Sequence, residues 1–431
     1  MKKSIITLII VFSLFVGKTF AEGYATNLQG VKQIGMGHTG VALNMDVSSL
    51  QFNPGALVFM PNKYGFSAGA SLTLVNNKYT SNAGVTEQNE ASPKTPFYFY
   101  GGAKINDKLA VGLGVYTPFG NSLDWGDNWS GKYLVQNISM HVVFFQPTLS
   151  YAITNKLAIG AGPIVAMGSY EINKAVPMVT PVGVSQIGTM GLKGDAVAYG
   201  YNVGLQYKAS DKLSLGVSYR SQIDVNADGE ANPKIDPAVI ALLTQGAGLG
   251  DPVSTQKLVV LTSDGAKSTL PLPASLNFGA AYNVSDKLLL AADVNYVFWS
   301  AYKSLTFKAT NSNFVSAGEY VMSEVVKDWK NSLTYRIGAQ YTVNNSLELR
   351  AGFYYDQTPT QADKYTPETP GADKIGLSAG CSYNVTKGLS VDISLLYVEG
   401  QKRHGVSPDN MFEGDYKNTG FLPGLGVSYS F

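Results

Sequence analysis

The residues best suited to recognise a charged ligand are three arginines in stretches where polar and apolar residues alternate, namely Arg220, Arg336 and Arg350. A guanidinium binds a carboxylate through two parallel hydrogen bonds, so one of these side chains would suit a ligand that carries a carboxylate. In such alternating stretches, acidic residues fall on the same face as the three arginines. They are Asp293, Glu348, Asp356 and Asp392. Internal salt bridges are therefore the alternative, and for any single arginine this is the interpretation that we favour.

Large apolar side chains share the same phase, with Phe144 and Trp299 as the prominent examples. An apolar lining suits a hydrocarbon ligand, because each CH₂ group removed from water contributes about 0.8 kcal/mol. Packing against another part of the chain explains these residues equally well. Together with the three arginines they form our candidates for ligand binding in an interior lumen.

The chain offers little for catalysis. His38, His141 and His404 are far apart, and Cys381 is the only cysteine, so neither a disulfide nor a metal-ligand spacing follows. We therefore predict no enzymatic activity, no cofactor and no metal. A lipase is the enzymatic alternative, although no motif supports it.

Residues 1–21 have the features of a signal peptide. Two lysines precede an apolar stretch, and Thr19-Phe20-Ala21 places small residues at a cleavage point. Their removal takes away three lysines, which changes the net charge from +1 to −2. Nucleic acid is therefore not an expected partner.

The elements that would position these residues are strands joined by six similar turns. Asn, Asp, Ser and Gly favour tight turns, and they recur before a leucine that opens a new alternating stretch. The turns are centred on residues 106–108, 154–156, 210–212, 285–287, 344–346 and 386–388. Much longer connections separate them. Short turns on one side and long loops on the other are typical of outer-membrane barrels.

The whole chain fits such a barrel. Only 15% of its residues are charged, and it contains 46 glycines and 26 tyrosines. We count fourteen strands and predict an all-β fold, a transmembrane 14-stranded antiparallel β-barrel over residues 63–431. Tyrosines that shortly precede five of the turns predict an interfacial ring, and these are Tyr151, Tyr207, Tyr282, Tyr341 and Tyr383. Residues 22–62 are Gly-rich and too apolar for a disordered tail, so we predict an N-terminal plug in the lumen.

The predicted extracellular loops are rich in apolar residues. One loop contains Phe119, Trp125, Trp129 and Tyr133, and another contains a short apolar helix that includes Leu242, with Asp236 as its N-cap. Exposed apolar surface often marks a binding site, so a ligand-collecting groove is our interpretation. Loops that pack on one another are the alternative.

Several of these segments resemble a known family. They are Asn53-Pro54-Gly55, Thr117-Pro118-Phe119-Gly120, Trp129-Ser130-Gly131-Lys132-Tyr133 and Asp356-Gln357-Thr358-Pro359. In this order and spacing the chain is similar to the FadL/TodX-type outer-membrane transporters of long-chain fatty acids and hydrocarbons. The family usually has Ala at the position of Gly55 and Arg at that of Lys132.

The resemblance implies passive transport of a hydrophobic molecule across the outer membrane of a Gram-negative bacterium, with sideways exit into membrane lipids and the protein acting as a monomer. It implies a loop groove at Phe119, Trp125, Trp129, Lys132, Tyr133 and Leu242, and a gating motif at Asn53, Pro54 and Gly55. The third strand would be distorted beside a lateral opening, for which Gly112 and Gly114 are the candidates. A general diffusion porin and an outer-membrane adhesin are the alternatives.

Overall fold

The computed structural model describes residues 23–90, 92–180, 183–310, 320–409 and 411–431, so the predicted signal peptide, residues 1–21, lies outside the described residues. Fourteen antiparallel strands form a closed barrel, because the last strand pairs with the first. At that seam the Tyr64 N–H donates to the Phe431 carbonyl at 2.9 Å, and the Phe431 N–H donates to the Tyr64 carbonyl at 3.1 Å. The predicted fold class is confirmed.

Five wall strands run in two pieces, and nine are continuous. The first seven are β1 (Tyr64–Ser71 and Leu74–Thr80), β2 (Phe97–Asn106), β3 (Leu109–Asp124), β4 (Asn137–Ala152), β5 (Leu157–Thr180), β6 (Gly183–Lys208) and β7 (Leu213–Arg220 and Ile223–Ile235). The others are β8 (Gly265–Leu272 and Ser275–Asn283), β9 (Leu288–Val297 and Ser304–Ala309), β10 (Tyr320–Val326 and Ser332–Asn344), β11 (Leu347–Asp356), β12 (Lys374–Asn384), β13 (Leu389–Gly400) and β14 (Glu413–Ser430). Two short strands, Thr86–Gln88 and Arg403–Val406, extend the wall within the long loops.

All six predicted turns are present, and one device closes each of them. A side-chain oxygen at the start of the turn accepts a hydrogen bond from the backbone N–H two residues later, as an Asx- or Ser/Thr-turn requires. Asn106 accepts from Lys108 at 2.8 Å, and Ser210 accepts from Lys212 at 3.2 Å. The equivalent residues in the other turns are Thr154, Ser285, Asn344 and Thr386.

The outer surface of the barrel is apolar. The five tyrosines that precede turns are 40–58% exposed on that surface. Alternate residues of the same strands point inward and are buried. Among the described residues, no helix is both long and apolar enough to cross a membrane.

Residues 23–62 lie inside the barrel, and we call them the plug. They contain helices α1 (Val31–Gly35) and α2 (Ser49–Phe52) and a 3-10 helix, Pro54–Phe59. Plug backbone touches wall backbone so closely that a Cβ atom at Gly216 in β7 would lie 2.1 Å from the Val41 carbonyl oxygen. Glycine is required there because it has no side chain.

Above the membrane the wall continues further than the sequence pattern indicated. β5 has 24 residues and β6 has 26, whereas about 9–11 residues suffice to span the hydrocarbon core. The loop after β7 forms helices α3 (Pro237–Gly248) and α4 (Pro252–Thr262). Asp236 caps α3 as predicted, accepting a hydrogen bond from the Ala238 N–H at 2.8 Å.

Candidate ligand-binding cavities and side opening

Two cavities meet inside the upper half of the barrel. The first, the inner cavity, has a volume of about 60 Å³ and is lined mainly by apolar side chains of β4, β5, β7, β8 and β9, among them Ile138, Ile172 and Phe307. The second, the side cavity, has a volume of about 610 Å³. Their linings share Asn121, Met140, Val142 and Thr369. The two cavities are therefore adjacent along β4.

The side cavity reaches from the lumen to the outside of the barrel. At its inner end it is lined by Tyr354 and Leu396, which point inward from β11 and β13. At its outer end it is lined by Phe97, which is 42% exposed on the outer surface. The cavity therefore passes through the wall.

The passage through the wall exists because β3 stops pairing with its neighbour β2 partway along its length. The two strands pair regularly from Ala110 up to Tyr116, which lies opposite Tyr98. Beyond this point the register of β3 against β4 shifts between Tyr116 and Phe119. Pro118 has no N–H to donate, and it stands within this shift. We call the resulting gap the side window.

The plug hydrogen-bonds to the part of β3 that β2 no longer pairs with. The Thr26 N–H donates to the Pro118 carbonyl, and the Gly120 N–H donates to the Tyr24 carbonyl, both at 3.0 Å. The Thr26 hydroxyl donates to the Thr117 carbonyl at 2.7 Å. These bonds draw β3 inward without leaving its polar backbone unsatisfied.

The window has a defined lower and upper edge. Below, the Phe97 N–H donates to the Thr117 hydroxyl at 3.1 Å. Above, the Glu90 N–H donates to the Asp124 carbonyl at 2.7 Å. Since Phe97 begins the ten-residue strand β2, the window lies about one membrane span above the short-turn end, near the outer edge of the apolar band.

These observations correct the expectation for Gly112 and Gly114. Both residues pair in register with β2 and with β4, so they do not distort the strand. A Cβ atom at Gly112 would lie 3.0 Å from the Leu50 side chain, and one at Gly114 would lie 3.1 Å from it. These glycines make room for the plug, and the distortion lies at Thr117 and Pro118.

The start of the plug lies beside both cavities. The Tyr24 ring lines the inner cavity. Its ring centroid is 4.8 Å from that of Trp299 and 6.1 Å from that of Phe119. The Tyr24 hydroxyl donates to the Pro271 carbonyl. Trp329 completes this aromatic cluster, at 5.1 Å from Trp299.

The predicted loop groove is not assembled. Trp125 and Trp129 stack with centroids 4.6 Å apart, and each is only 4% exposed. Their indole N–H groups donate to the Pro367 and Val135 carbonyls. The interpretation as a groove is wrong for these two residues, because loop packing has buried them.

The other residues of the predicted groove are dispersed. Phe119 lines the side cavity, and Leu242 is 62% exposed on α3. Lys132 lies over the ring of its neighbour Tyr133, with the ammonium nitrogen 5.6 Å from the centroid, and neither residue lines the two cavities. Of the predicted groove residues, Phe119 alone lines one of these two cavities.

The three arginines do not line either cavity. Arg336 donates to the His38 carbonyl of the plug at 3.3 Å. Arg220 donates to the Gln51 carbonyl at 3.4 Å, and its guanidinium lies 5.8 Å from the centroid of Phe144, which is fully buried. Each of these two arginines contacts the plug.

Arg350 belongs to a buried charge network. It forms an ion pair with Glu348 and donates to the Ser382 hydroxyl, which in turn donates to Asp392. Lys32 of the plug lies 3.8 Å from Asp392. This arrangement matches the salt-bridge alternative, in which the charges join plug to wall.

The plug motif is buried where the plug meets β6. The Asn53 side-chain amide donates to the Val41 carbonyl at 2.8 Å and to the Leu205 carbonyl at 3.0 Å. Its oxygen accepts a hydrogen bond from the Gly55 N–H. Pro54 begins the 3-10 helix, so the motif joins two plug segments to the wall.

One buried ion pair was not foreseen. Lys327 is fully buried and is paired with Glu368, which lines the inner cavity. Burial raises the pKa of the Tyr302 phenol well above its usual value, and the negative charge of Glu368 raises it further. Glu368 lies in an irregular loop, so no periodic pattern in the sequence indicated its position. Trp329 was also absent from the predicted site residues, although the chain has only four tryptophans.

A closed barrel with an apolar outer surface, an internal plug and a cavity through its wall defines a transport protein of the outer membrane. The chain belongs to the family of outer membrane protein transport proteins (OMPP1/FadL/TodX), whose family model matches residues 12–431. Among the described residues, no three His, Cys, Asp or Glu side chains are grouped so that they could hold a metal ion.

Relatives and solved structures match over nearly the whole chain. The 47 kDa outer membrane protein of Pasteurella multocida is 25% identical, over 95% of each chain. A long-chain fatty acid transport protein of Escherichia coli is 23% identical, over 98% of each. The crystal structure of a Pseudomonas aeruginosa FadL homologue has a TM-score of 0.82 at 20% identity, covering 95% of this chain and 100% of that one. The toluene transporter TodX of Pseudomonas putida has a TM-score of 0.68 at 18% identity, covering 96% and 99%.

Proposed function

We propose that this protein carries hydrophobic small molecules, such as long-chain fatty acids or similar hydrocarbons, passively from the cell surface into the outer membrane. A ligand passes from the inner cavity to the side cavity and leaves through the side window into the lipid. The protein works as a monomer, with lipid as the acceptor. The observation that carries this proposal is the continuity of the side cavity from lumen to outer surface.

The physical chemistry of the route favours apolar cargo. A sixteen-carbon chain gains on the order of 12 kcal/mol when it leaves water, at about 0.8 kcal/mol per CH₂. The cavity linings retain part of that gain along the route, and the lipid provides the remainder. A hydrophilic solute gains nothing by this path, and the plug fills the bore that a diffusion porin would need.

The inner cavity must expand to admit a ligand. Its volume of about 60 Å³ is below the roughly 150 Å³ of an engineered cavity that binds benzene. Tyr24 lines this cavity, and Phe119 lines the side cavity next to it. We therefore assign to these two rings the step that joins the cavities.

Exit of the ligand through the side window can be tested by closing the window with a disulfide. The hydroxyl oxygens of Ser92 and Ser122 lie 3.4 Å apart across it. In a Cys381→Ser background, Ser92→Cys combined with Ser122→Cys should block uptake of toluene when oxidised and restore it when reduced. Gel mobility reports whether the disulfide has formed.

A second cysteine pair is the matched control. The hydroxyls of Thr80 and Thr86 lie 3.0 Å apart in the loop hairpin that extends β1, away from the window. Thr80→Cys with Thr86→Cys should leave uptake unchanged in both redox states. Normal uptake through the oxidised Ser92–Ser122 pair would refute sideways exit.

A further inference from the structure

The charge at the inner cavity bears on which ligands it accepts. Among the described residues that line it, Glu368 is the only one with a formally charged side chain. The rest are apolar, aromatic or neutral polar groups. The formal charge on this lining is therefore negative, and its counter-charge on Lys327 lies outside the lining.

Glu368 is held in place from several directions. Its Oε1 accepts hydrogen bonds from the Lys327 ammonium and, at 2.8 Å, from the Thr366 hydroxyl. Its backbone carbonyl accepts a hydrogen bond from the Asn121 side chain of β3 at 2.7 Å. Next to it, the Trp125 indole N–H donates to the Pro367 carbonyl at 3.0 Å. The first two contacts hold the carboxylate, and the two backbone contacts hold the loop segment that carries it.

The one cation close to Glu368 is not available to a ligand. The Lys327 side chain has no exposed surface, does not line the inner cavity, and already pairs with Glu368 and Thr366. A ligand carboxylate would have to displace Glu368 to reach it. Removing one partner of a buried pair costs more than the pair contributes.

Other charges around Glu368 do not favour an anion either. A neighbouring cavity of about 120 Å³ is lined by Lys174 together with Glu324, Glu368 and Asp409, so carboxylates outnumber the ammonium. Burial lowers the pKa of Lys174, although Glu368 opposes this effect. Lys94 and Lys374 line the side cavity rather than the inner one.

We infer that the inner cavity selects uncharged hydrophobic molecules, hydrocarbons or alcohols, and rejects carboxylates, because Glu368 presents a fixed negative charge to it. This inference rests on the proposed function and narrows its cargo to the uncharged molecules, because it excludes ionised fatty acids. Two carboxylates in a low-dielectric site repel strongly. An alcohol can instead donate a hydrogen bond to Glu368 Oε2, because the contacts with Lys327 and Thr366 both use Oε1.

The test compares two ligands that differ only in head group, 1-decanol and decanoate, with protein in lipid nanodiscs at pH 8, where decanoate is ionised. We expect the wild type to bind decanol at least ten-fold tighter than decanoate. Glu368→Gln should narrow this ratio at least ten-fold by improving decanoate binding, because Lys327 then lacks its counter-charge. Glu399→Gln removes a carboxylate paired with Lys417 at the outer surface and should leave the ratio unchanged.

A second variant guards against misfolding. The double variant, Lys327→Met with Glu368→Gln, removes both charges together. It should also reduce the preference for decanol over decanoate, by a smaller factor than Glu368→Gln alone. An equal ratio in the wild type and both variants, or tighter binding of decanoate than decanol by the wild type, would overturn the inference. If neither ligand binds and neither is taken up by cells, the proposed function itself fails.

Discussion

Asn53 of the plug lies against the bare backbone of Gly204 in β6. A Cβ atom at Gly204 would be 2.2 Å from the Asn53 side-chain oxygen, and 2.7 Å from Pro54 Cδ. Contacts this short are not tolerated, so the plug motif depends on a glycine that is 151 positions away in sequence.

Gly204→Ala should therefore unseat the plug while leaving the barrel wall intact. We expect a rise in ion conductance across planar bilayers, because the bore is no longer filled. Gly101→Ala is the control, since nothing lies within 4 Å of a Cβ atom at Gly101. Equal conductance of both variants would contradict this packing role.

Asn53→Ala should loosen the same contact from the plug side. It removes the donor for the Val41 and Leu205 carbonyls, and an unsatisfied buried group costs about 1–3 kcal/mol. The variant should show faster protease cleavage within residues 23–62 and altered transport. Asn106→Ala, at a short turn, is the control. Wild-type cleavage and transport would show that neither gating nor anchoring depends on Asn53.

Trp129→Ala should destabilise the packing of the extracellular loops without reducing transport of the ligand. Trp129 packs on Trp125 and Phe412, and truncating a buried tryptophan costs about 3–5 kcal/mol. Hydrogen exchange should become faster in residues 125–136, with hydrocarbon uptake retained. Leu242→Ala, at an exposed position, should change neither quantity. Loss of uptake with unchanged hydrogen exchange would restore the groove interpretation.

Arg350→Ala separates the two roles considered for the arginines. In a structural network, removing it leaves Glu348 without its ion-pair partner and Ser382 without a donor, and breaking a buried pair costs about 3–5 kcal/mol. Thermal stability should fall, while decanol binding by the folded fraction stays the same. Lys156→Ala, at a short turn, is the control. A ten-fold loss of affinity at unchanged stability would instead assign the guanidinium to the ligand.

The sequence predicted the membrane-spanning part of the fold well, because lipid outside and plug inside impose opposite polarity on alternate residues. It also predicted every short turn, since each begins with a residue whose side chain closes it. The extensions of β5 and β6 were not predicted, because the polarity contrast that lipid imposes is missing there. Above the membrane no lipid faces the strands, so the alternation fades although the hydrogen bonding continues.

The site was harder to predict. The distortion of β3 was assigned to Gly112 and Gly114, whereas Pro118, two residues beyond Tyr116, marks it. The aromatic loop residues were recognised, but the pattern does not distinguish a residue buried between loops from one that faces a ligand. The Lys327–Glu368 pair joins two irregular segments, and no local rule brings such segments together.

The seam of the barrel sets an order for assembly. Tyr64 lies two residues after the plug, and its partner Phe431 is 367 positions further along the chain. The cylinder therefore closes only when the two most widely separated strands of the wall meet. The plug is joined directly to one of these strands, so it is fully enclosed only when this long-range pairing forms.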